Sequence, residues 1–290
     1  MEFEPVWGLP IIIYLFLAGL GGGAFLTSGL AARINPDAVV LRKAGRYIAP
    51  IVVAIGLVCL MFDAKAGALD PFKFALLLHN PFSVMTWGVV FLAIFEVIAL
   101  IVAIMELRKV NVPKWLSLTG SLFGVCVGAY TGVLLGVVKT FPLWNNPVLP
   151  LLFLVSAIST GAAIVLLSAL IKAPKEFEDA VLMKKMHFFL PITEIVLVVA
   201  MLFIVSFQGV AASESVGALL SGKFALTFWI GFIIVGLVGP TIIEVRSMFC
   251  KKVFANERTW SIVSECGVLI GGFLLRLLIV LAALPVVIVA

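Results

Sequence analysis

The chain is poor in charge and in the residues that ligate metals. Of its 290 residues only 12% are charged, there are 2 histidines and 4 cysteines, and 63% are hydrophobic. No water-soluble domain tolerates that balance together with a mean hydropathy of +1.25, whereas a polytopic helical membrane protein requires it. Cys59, Cys126, Cys250 and Cys266 are scattered, without a C-x-x-C pair, so no cysteine-based zinc or iron–sulfur ligand set is expected within this chain. His79 precedes the third apolar segment and His187 the sixth, and those two starts lie on opposite faces of the membrane. They cannot clasp one b-type haem, which needs two axial ligands close in space. Alternating strands of about ten residues are missing, and with them a β-barrel. The net charge of +5 is too small and too dispersed to suggest nucleic-acid binding. The opening Met-Glu-Phe-Glu lacks the basic start of a signal peptide, so the first apolar segment is expected to stay as a membrane helix.

What is present is eight apolar segments, near residues 10–32, 47–68, 83–105, 115–138, 148–171, 188–208, 223–246 and 260–287. Each is long enough to cross roughly 30 Å of hydrocarbon at helical rise. The connections are short, and Pro36, Pro81, Pro113, Pro147 and Pro174 interrupt the chain at segment ends. Basic residues are unequally shared. Arg33, Arg42, Lys43, Arg46, Arg108, Lys109, Lys114, Lys172, Lys175, Lys184, Lys185, Arg246, Lys251, Lys252 and Arg258 fall on one side, and only Lys65, Lys73, Lys139 and Lys223 on the other. The positive-inside rule places the first group in the cytoplasm and both termini outside.

The two halves resemble each other weakly. Gly124–Tyr130 aligns with Gly267–Phe273 at offset 143, Pro50 with Pro191 at 141, and Gly23 with Gly161 at 138. A slowly drifting offset that keeps helix order suggests a duplicated four-helix unit. Four spans per copy make it a parallel repeat. The expected fold is therefore all-α and integral to the membrane. Its eight transmembrane helices form two four-helix bundles, residues 1–140 and 141–290. In the second copy Tyr130 becomes Phe273, His79 becomes Ser221 and Asp63 becomes Ile204. The polar groups of the outer half belong to the first copy, which should carry the site.

The stretch 120–138 concentrates the question. Glycines at 120, 124, 128, 132 and 136 form a smooth stripe that admits a close neighbour. Tyr130 sits about 8 residues, roughly 12 Å, below the outer face. A phenol buried there needs a polar partner. Asp63, Lys65, His79, Asn80 and Trp87 gather on the same side, though each alone fits an interfacial ion pair or an aromatic anchor. The first helix carries Gly19, Gly21, Gly22 and Gly23, either to pack a partner helix or to make room for a flat ligand. Phe141–Pro147 reads as a docking surface, as a lid over the bundle or as a plain interfacial turn. Glu96, Glu194 and Arg276 lie within spans, as an ion-pair network or part of a proton path, and Glu244 is close enough to an end to snorkel.

Several of these stretches together resemble the NrfD family, which includes the membrane subunit of polysulfide reductase. They are Tyr14-Leu-Phe-Leu-Ala-Gly-Leu-Gly-Gly-Gly-Ala24, Asp63 followed by Asn80-Pro-Phe-Ser-Val-Met-Thr-Trp87-Gly88, Ala129-Tyr-Thr-Gly132, Pro142-Leu-Trp-Asn145 and Leu152-Phe-Leu-Val-Ser-Ala-Ile-Ser-Thr-Gly161. The resemblance is dense over residues 7–165. It implies a haem-free, metal-free subunit of a prokaryotic inner-membrane respiratory complex that binds a quinone, menaquinone or ubiquinone, in the first bundle near the outer face. It also implies a ferredoxin-like iron–sulfur partner, often with a molybdopterin catalytic subunit. Tyr130 matches the family's fourth-helix tyrosine and Asp63 its aspartate after the second helix. Lys65 loosely matches the basic residue that follows. On this reading Tyr130 and His79 hydrogen-bond the quinone oxygens and Asp63, partnered by Lys65, exchanges protons. Tyr14, Gly22, Asn80, Trp87 and Thr131 line the pocket. A secondary transporter and a passive membrane anchor are the rival readings.

Overall fold

The computed structural model describes residues 7–63, 80, 82–249 and 256–286. Among them there are helices and no strands. Eight spans of 21 to 26 residues are long and apolar enough to cross a membrane. They are α1 (Leu9–Ile34), α2 (Val39–Asp63), α3 (Val84–Leu107), α4 (Lys114–Gly136), α5 (Val148–Lys172), α7 (Val181–Ser206), a π-helical stretch (Thr227–Val238) that runs into α9 (Gly239–Phe249), and α10 (Glu257–Leu281). Two short helices, α6 (Pro174–Asp179) and α8 (Val210–Leu220), join them. Several spans begin earlier than hydropathy suggests. The first turns of α2 and α7 carry Arg42, Lys43, Lys184 and Lys185, which lower hydropathy without breaking a helix whose end stands in the polar interface. Pro50 and Pro191 both lie inside their helices, α2 and α7. The connection from 209 to 222 contains the short apolar α8.

Two helices form the centre. In their most apolar windows α1 is 67% buried and α5 72% buried, against 28–33% for α2, α3, α7 and the seventh span. Sequence explains why. Lipid is as apolar as leucine, so helices in a bilayer gain by close packing rather than by escaping water. Successive residues of a helix point about 100° apart, and the three consecutive glycines of α1 therefore face three different helices. A side chain at Gly21 would meet Val52, Val53 and the Ala49 carbonyl of α2. At Gly22 it would meet the Gly124 carbonyl oxygen of α4 at 2.5 Å. At Gly23 it would fall on the Ala157 carbonyl of α5. Gly161 of α5 answers by facing the Gly23 backbone. The glycine stripe of α4 continues this logic, with Gly120 under the Phe25 ring and Gly132 against Leu149 and Pro150.

The neighbours in space follow. The helix α1 packs on α2, α4 and α5, and α3 on α2 and α4; α5 also packs on α7 and α10, and α10 on the π-helical stretch. At the basic end, Arg46 and Lys43 of α2 pair with the buried Glu106 of α3, Lys43 at 3.2 Å. Arg46 also reaches Ser117 of α4 at 3.4 Å. Glu176 of α6 accepts the amides of Val40 and Leu41 at 2.7 and 3.2 Å, capping α2 where its dipole favours an anion.

At the opposite end Phe141–Pro147 folds inward. Trp144 is buried, donates its indole N–H to the Ile279 carbonyl at 2.7 Å and stacks on Trp7 at 5.0 Å. Asn145 donates to the Gly136 carbonyl at 2.5 Å. With Phe141, Leu143, Trp144 and Asn146 all buried, this loop is a fixed lid over the helix ends, not an exposed docking surface.

Two measurements test the packing. Gly23→Ala should lower the thermal unfolding midpoint in detergent, at a cost of about 1–3 kcal/mol for overpacking, while Gly217→Ala, in α8, where an added methyl meets nothing within 4 Å, should leave it unchanged or raise it. Arg46→Met should cost about 3 kcal/mol, because it removes one partner of a buried pair, and Arg46→Met combined with Glu106→Met should recover much of that loss.

Candidate functional site

The expected site centres on Tyr130, and the structure places its ring at the α3–α4 seam. Tyr130 is buried, and a side chain at Gly88 of α3 would fall on its ring and hydroxyl. Only a glycine at 88 leaves room for the phenol there. Tyr14 of α1 is buried in the same apolar cluster, with Leu92, Leu134 and Leu135, and lies within electrostatic reach of Tyr130. Two phenols from two helices thus stand within electrostatic reach of each other in the part of α1–α4 remote from the basic end. Among the described residues neither hydroxyl makes a hydrogen bond.

The entry to α3 forms the rim. Asn80 is exposed, and its side-chain oxygen accepts the Phe82 amide at 3.1 Å. Thr86 donates to the Asn80 carbonyl at 2.6 Å. Beside these stand Phe82, 94% exposed, and Trp87, 52% exposed, whose ring leans on Phe91 at 5.9 Å. This is an apolar, aromatic lip facing outward from the bundle. Thr131 is fully buried and spends its hydroxyl on the Gly128 carbonyl at 2.7 Å. Gly22 sits at the α1–α4 crossing, backbone against Gly124, and so sets the distance between the helices that carry Tyr14 and Tyr130. Asp63 is the last residue of α2, which brings the chain to the same end. Its side chain, Lys65 and His79 lie outside the described residues.

A second polar group occupies the other half. Arg276 of α10 is fully buried. Its guanidinium donates to Ser156 Oγ of α5 at 2.8 Å and to the Gly272 carbonyl at 2.7 Å, and lies over the Phe153 ring at 5.1 Å. Glu194 of α7, also buried, faces Ser156 and Ser159 and feels Arg276 and His187. Ser156 thus stands between the two expected ionic partners. Glu96 is not brought to them. It lies on α3, which packs on α2 and α4, and its Oε2 is buried without a partner.

Sequence reading missed the partners of His187. Its Nδ1 bonds Glu244 Oε1 at 3.0 Å, and its Nε2 faces Glu265 Oε2 at 3.9 Å. Glu244 therefore turns inward to His187 instead of snorkelling outward. The ligand atoms of these three residues lie within 4.8 Å of one another, a spacing that could hold a metal ion. The one hint in the sequence was helical spacing. His187 and Glu194 are seven apart, Glu265 and Gly272 likewise, so each pair shares a face.

The comparisons with known proteins agree with this architecture. The family described as "Polysulphide reductase, NrfD" matches residues 1–288. One of the polysulfide reductase chains of Wolinella succinogenes is 31% identical over 269 residues, covering 83% of this protein and 83% of its own length. Protein NrfD of Escherichia coli K12 is 31% identical, covering 97% of this protein and 96% of its own length. One of the selenate reductase subunits of Mesobacillus selenatarsenatis is 26% identical over 55% of this protein and 47% of its own length. With eight apolar spans, and a family match that runs nearly from end to end, the chain is a member of the NrfD family of membrane proteins.

Proposed function

We propose that this chain is the membrane subunit through which a respiratory oxidoreductase exchanges electrons with the quinone pool. The observation that carries the reading is the pair of buried phenols, Tyr14 and Tyr130, without hydrogen-bond partners among the described residues. A phenol hydroxyl in an apolar setting calls for a polar partner. A quinone carbonyl oxygen is a suitable acceptor for the Tyr130 hydroxyl, with Tyr14 as a wall beside the ring, so the residues fit the group. Gly88 makes room for the Tyr130 ring itself, and the Phe82–Trp87 lip offers an apolar approach from the lipid.

Bound there, a quinol supplies two electrons and two protons, and the reverse reaction consumes them. The protein's own part is to bind, orient and move protons. Tyr130 and His79 hold the two oxygens, and Tyr14 backs the ring. Asp63 with Lys65 passes protons to the outer face. Asn80 and Thr86 hold the entry to α3 in place. The basic ends face the cytoplasm of a prokaryotic cell by the positive-inside rule, and both termini face outward. The electron partner is a ferredoxin-like iron–sulfur subunit docked at the outer ends, with a molybdopterin or other catalytic subunit beyond it. Glu194 and Arg276, joined through Ser156, form a candidate proton path in the second half. Glu96 would serve the first half separately.

The division into residues 1–140 and 141–290 as two copies of one bundle also belongs to this proposal. Gly23 and Gly161, aligned by the repeat, face each other at the α1–α5 crossing. Equivalent residues in mutual contact are what a two-fold axis between copies produces.

Tyr130→Phe removes one hydroxyl and keeps the ring. Quinol-coupled turnover of the assembled complex should fall about tenfold or more, the worth of a hydrogen bond of about 1–3 kcal/mol, while the complex still copurifies. Unaltered turnover in that variant, or in Tyr14→Phe combined with it, would contradict the assignment.

A further inference from the structure

The inner half of the second copy holds a cluster that quinone chemistry does not use. His187 of α7, Glu244 of α9 and Glu265 of α10 converge at the basic end from three separate helices. His187 is 1% exposed and Glu265 3%. His187 Nε2, Glu244 Oε2 and Glu265 Oε2 are all buried without a hydrogen-bond partner. Three orphaned ligand atoms in one place point to a missing partner, because each is costly to bury alone.

The geometry says what kind. The gap of 3.9 Å between His187 Nε2 and Glu265 Oε2 is too long for a hydrogen bond. It suits two ligands that share one cation, since bonds of about 2.1 Å each at an open angle span roughly 3.4–4.2 Å. Through Oε1 Glu244 holds Nδ1 at 3.0 Å and fixes the imidazole orientation, as carboxylates do for metal-bound histidines, while its unpartnered Oε2 is left to the cation. The charge agrees, with two carboxylates facing one imidazole. The nearby Lys184 ammonium is drawn elsewhere, lying 4.8 Å from the Phe177 ring centre and donating to the Glu178 carbonyl at 3.1 Å. A cavity of about 230 Å³, lined by Glu244, Glu265, Ser261 and Ser264 and also by Lys184 and Lys185, offers entry and room for water ligands.

We propose that His187, Glu244 and Glu265 bind a divalent transition-metal cation at the basic end of the second copy. One imidazole nitrogen and two carboxylates form a set suited to zinc, iron or manganese rather than to magnesium. The cation ties α7, α9 and α10 together. The site is separate from the Tyr130 region and does not depend on the quinone assignment.

The test uses the full-length protein in detergent, stripped with a chelator and titrated with Zn²⁺ by calorimetry. Co²⁺ serves as a spectroscopic probe. The expected result is one Zn²⁺ per protein molecule, a higher thermal midpoint with Zn²⁺, and visible Co²⁺ bands. Affinity should fall at least tenfold in His187→Gln and in Glu265→Gln, and stay unchanged in Glu214→Gln, an exposed carboxylate elsewhere. Variants are compared only if they elute as the wild type does on size exclusion. If His187→Gln fails that check, Glu265→Gln and Glu244→Gln carry the comparison. Substoichiometric binding by the wild type overturns the site, and so does binding that these substitutions leave untouched. Either result would mean that water and protons fill the cluster.

Discussion

Everything in this molecule hangs on how closely α1 is approached by its neighbours. Gly21, Gly22 and Gly23 present bare backbone to α2, α4 and α5 in turn. Glycine costs about 1 kcal/mol relative to alanine within a helix, and three in a row would weaken a solitary one. In a bilayer the cost is offset by close contact, since apolar side chains gain nothing by leaving lipid for protein. The run makes α1 a central post. Its position then fixes where Tyr14 stands relative to Tyr130, because Gly22 and Gly124 touch just one helical stretch below.

That arrangement separates two polar regions. The phenols, the α3 entry and the end of α2 gather in the first half, away from the basic end. His187, Glu244 and Glu265 gather in the second half, at the basic end, with Glu194, Ser156 and Arg276 above them. The α1–α5 crossing, where Gly23 meets Gly161, lies between. Arg276 touches both sides of the division. Its Nη2 would lie 3.1 Å from a methyl at Gly19 of α1, while its hydrogen bonds go to α5 and α10. A buried guanidinium so held needs its acceptors in place, which gives α5 a reason for Ser156 beyond packing.

Much of this was readable in the amino-acid order, for physical reasons. Hydropathy found all eight spans, because a bilayer imposes a length on every apolar run. It misplaced the starts of α2 and α7, where Arg42 or Lys184 lowers the average although the helix persists. The glycine run of α1 left packing and ligand space open, since a sequence does not say which helix each face meets; three different neighbours settled it for packing. Ion pairs were the least legible. Arg46 looked like one more inner positive charge, and Glu106, Ser117 and Glu265 drew no notice. Their partners lie far along the sequence, and only the tertiary fold brings them together. Trp144 shows the same limit: a loop rich in proline and aromatics reads equally as docking surface, lid or turn, and only the fold seals its indole against Ile279.

The central claim is that the first four helices bind a quinone head between Tyr14 and Tyr130. The most direct measurement is photolabelling of the complex with an azidoquinone, followed by mapping of the modified peptides. Label is expected on α1, α3 and α4, competed by unmodified quinone and lost when Tyr130 and Tyr14 are both replaced by phenylalanine. Competed label confined to α7 and α10, or label that no quinone displaces, would contradict it.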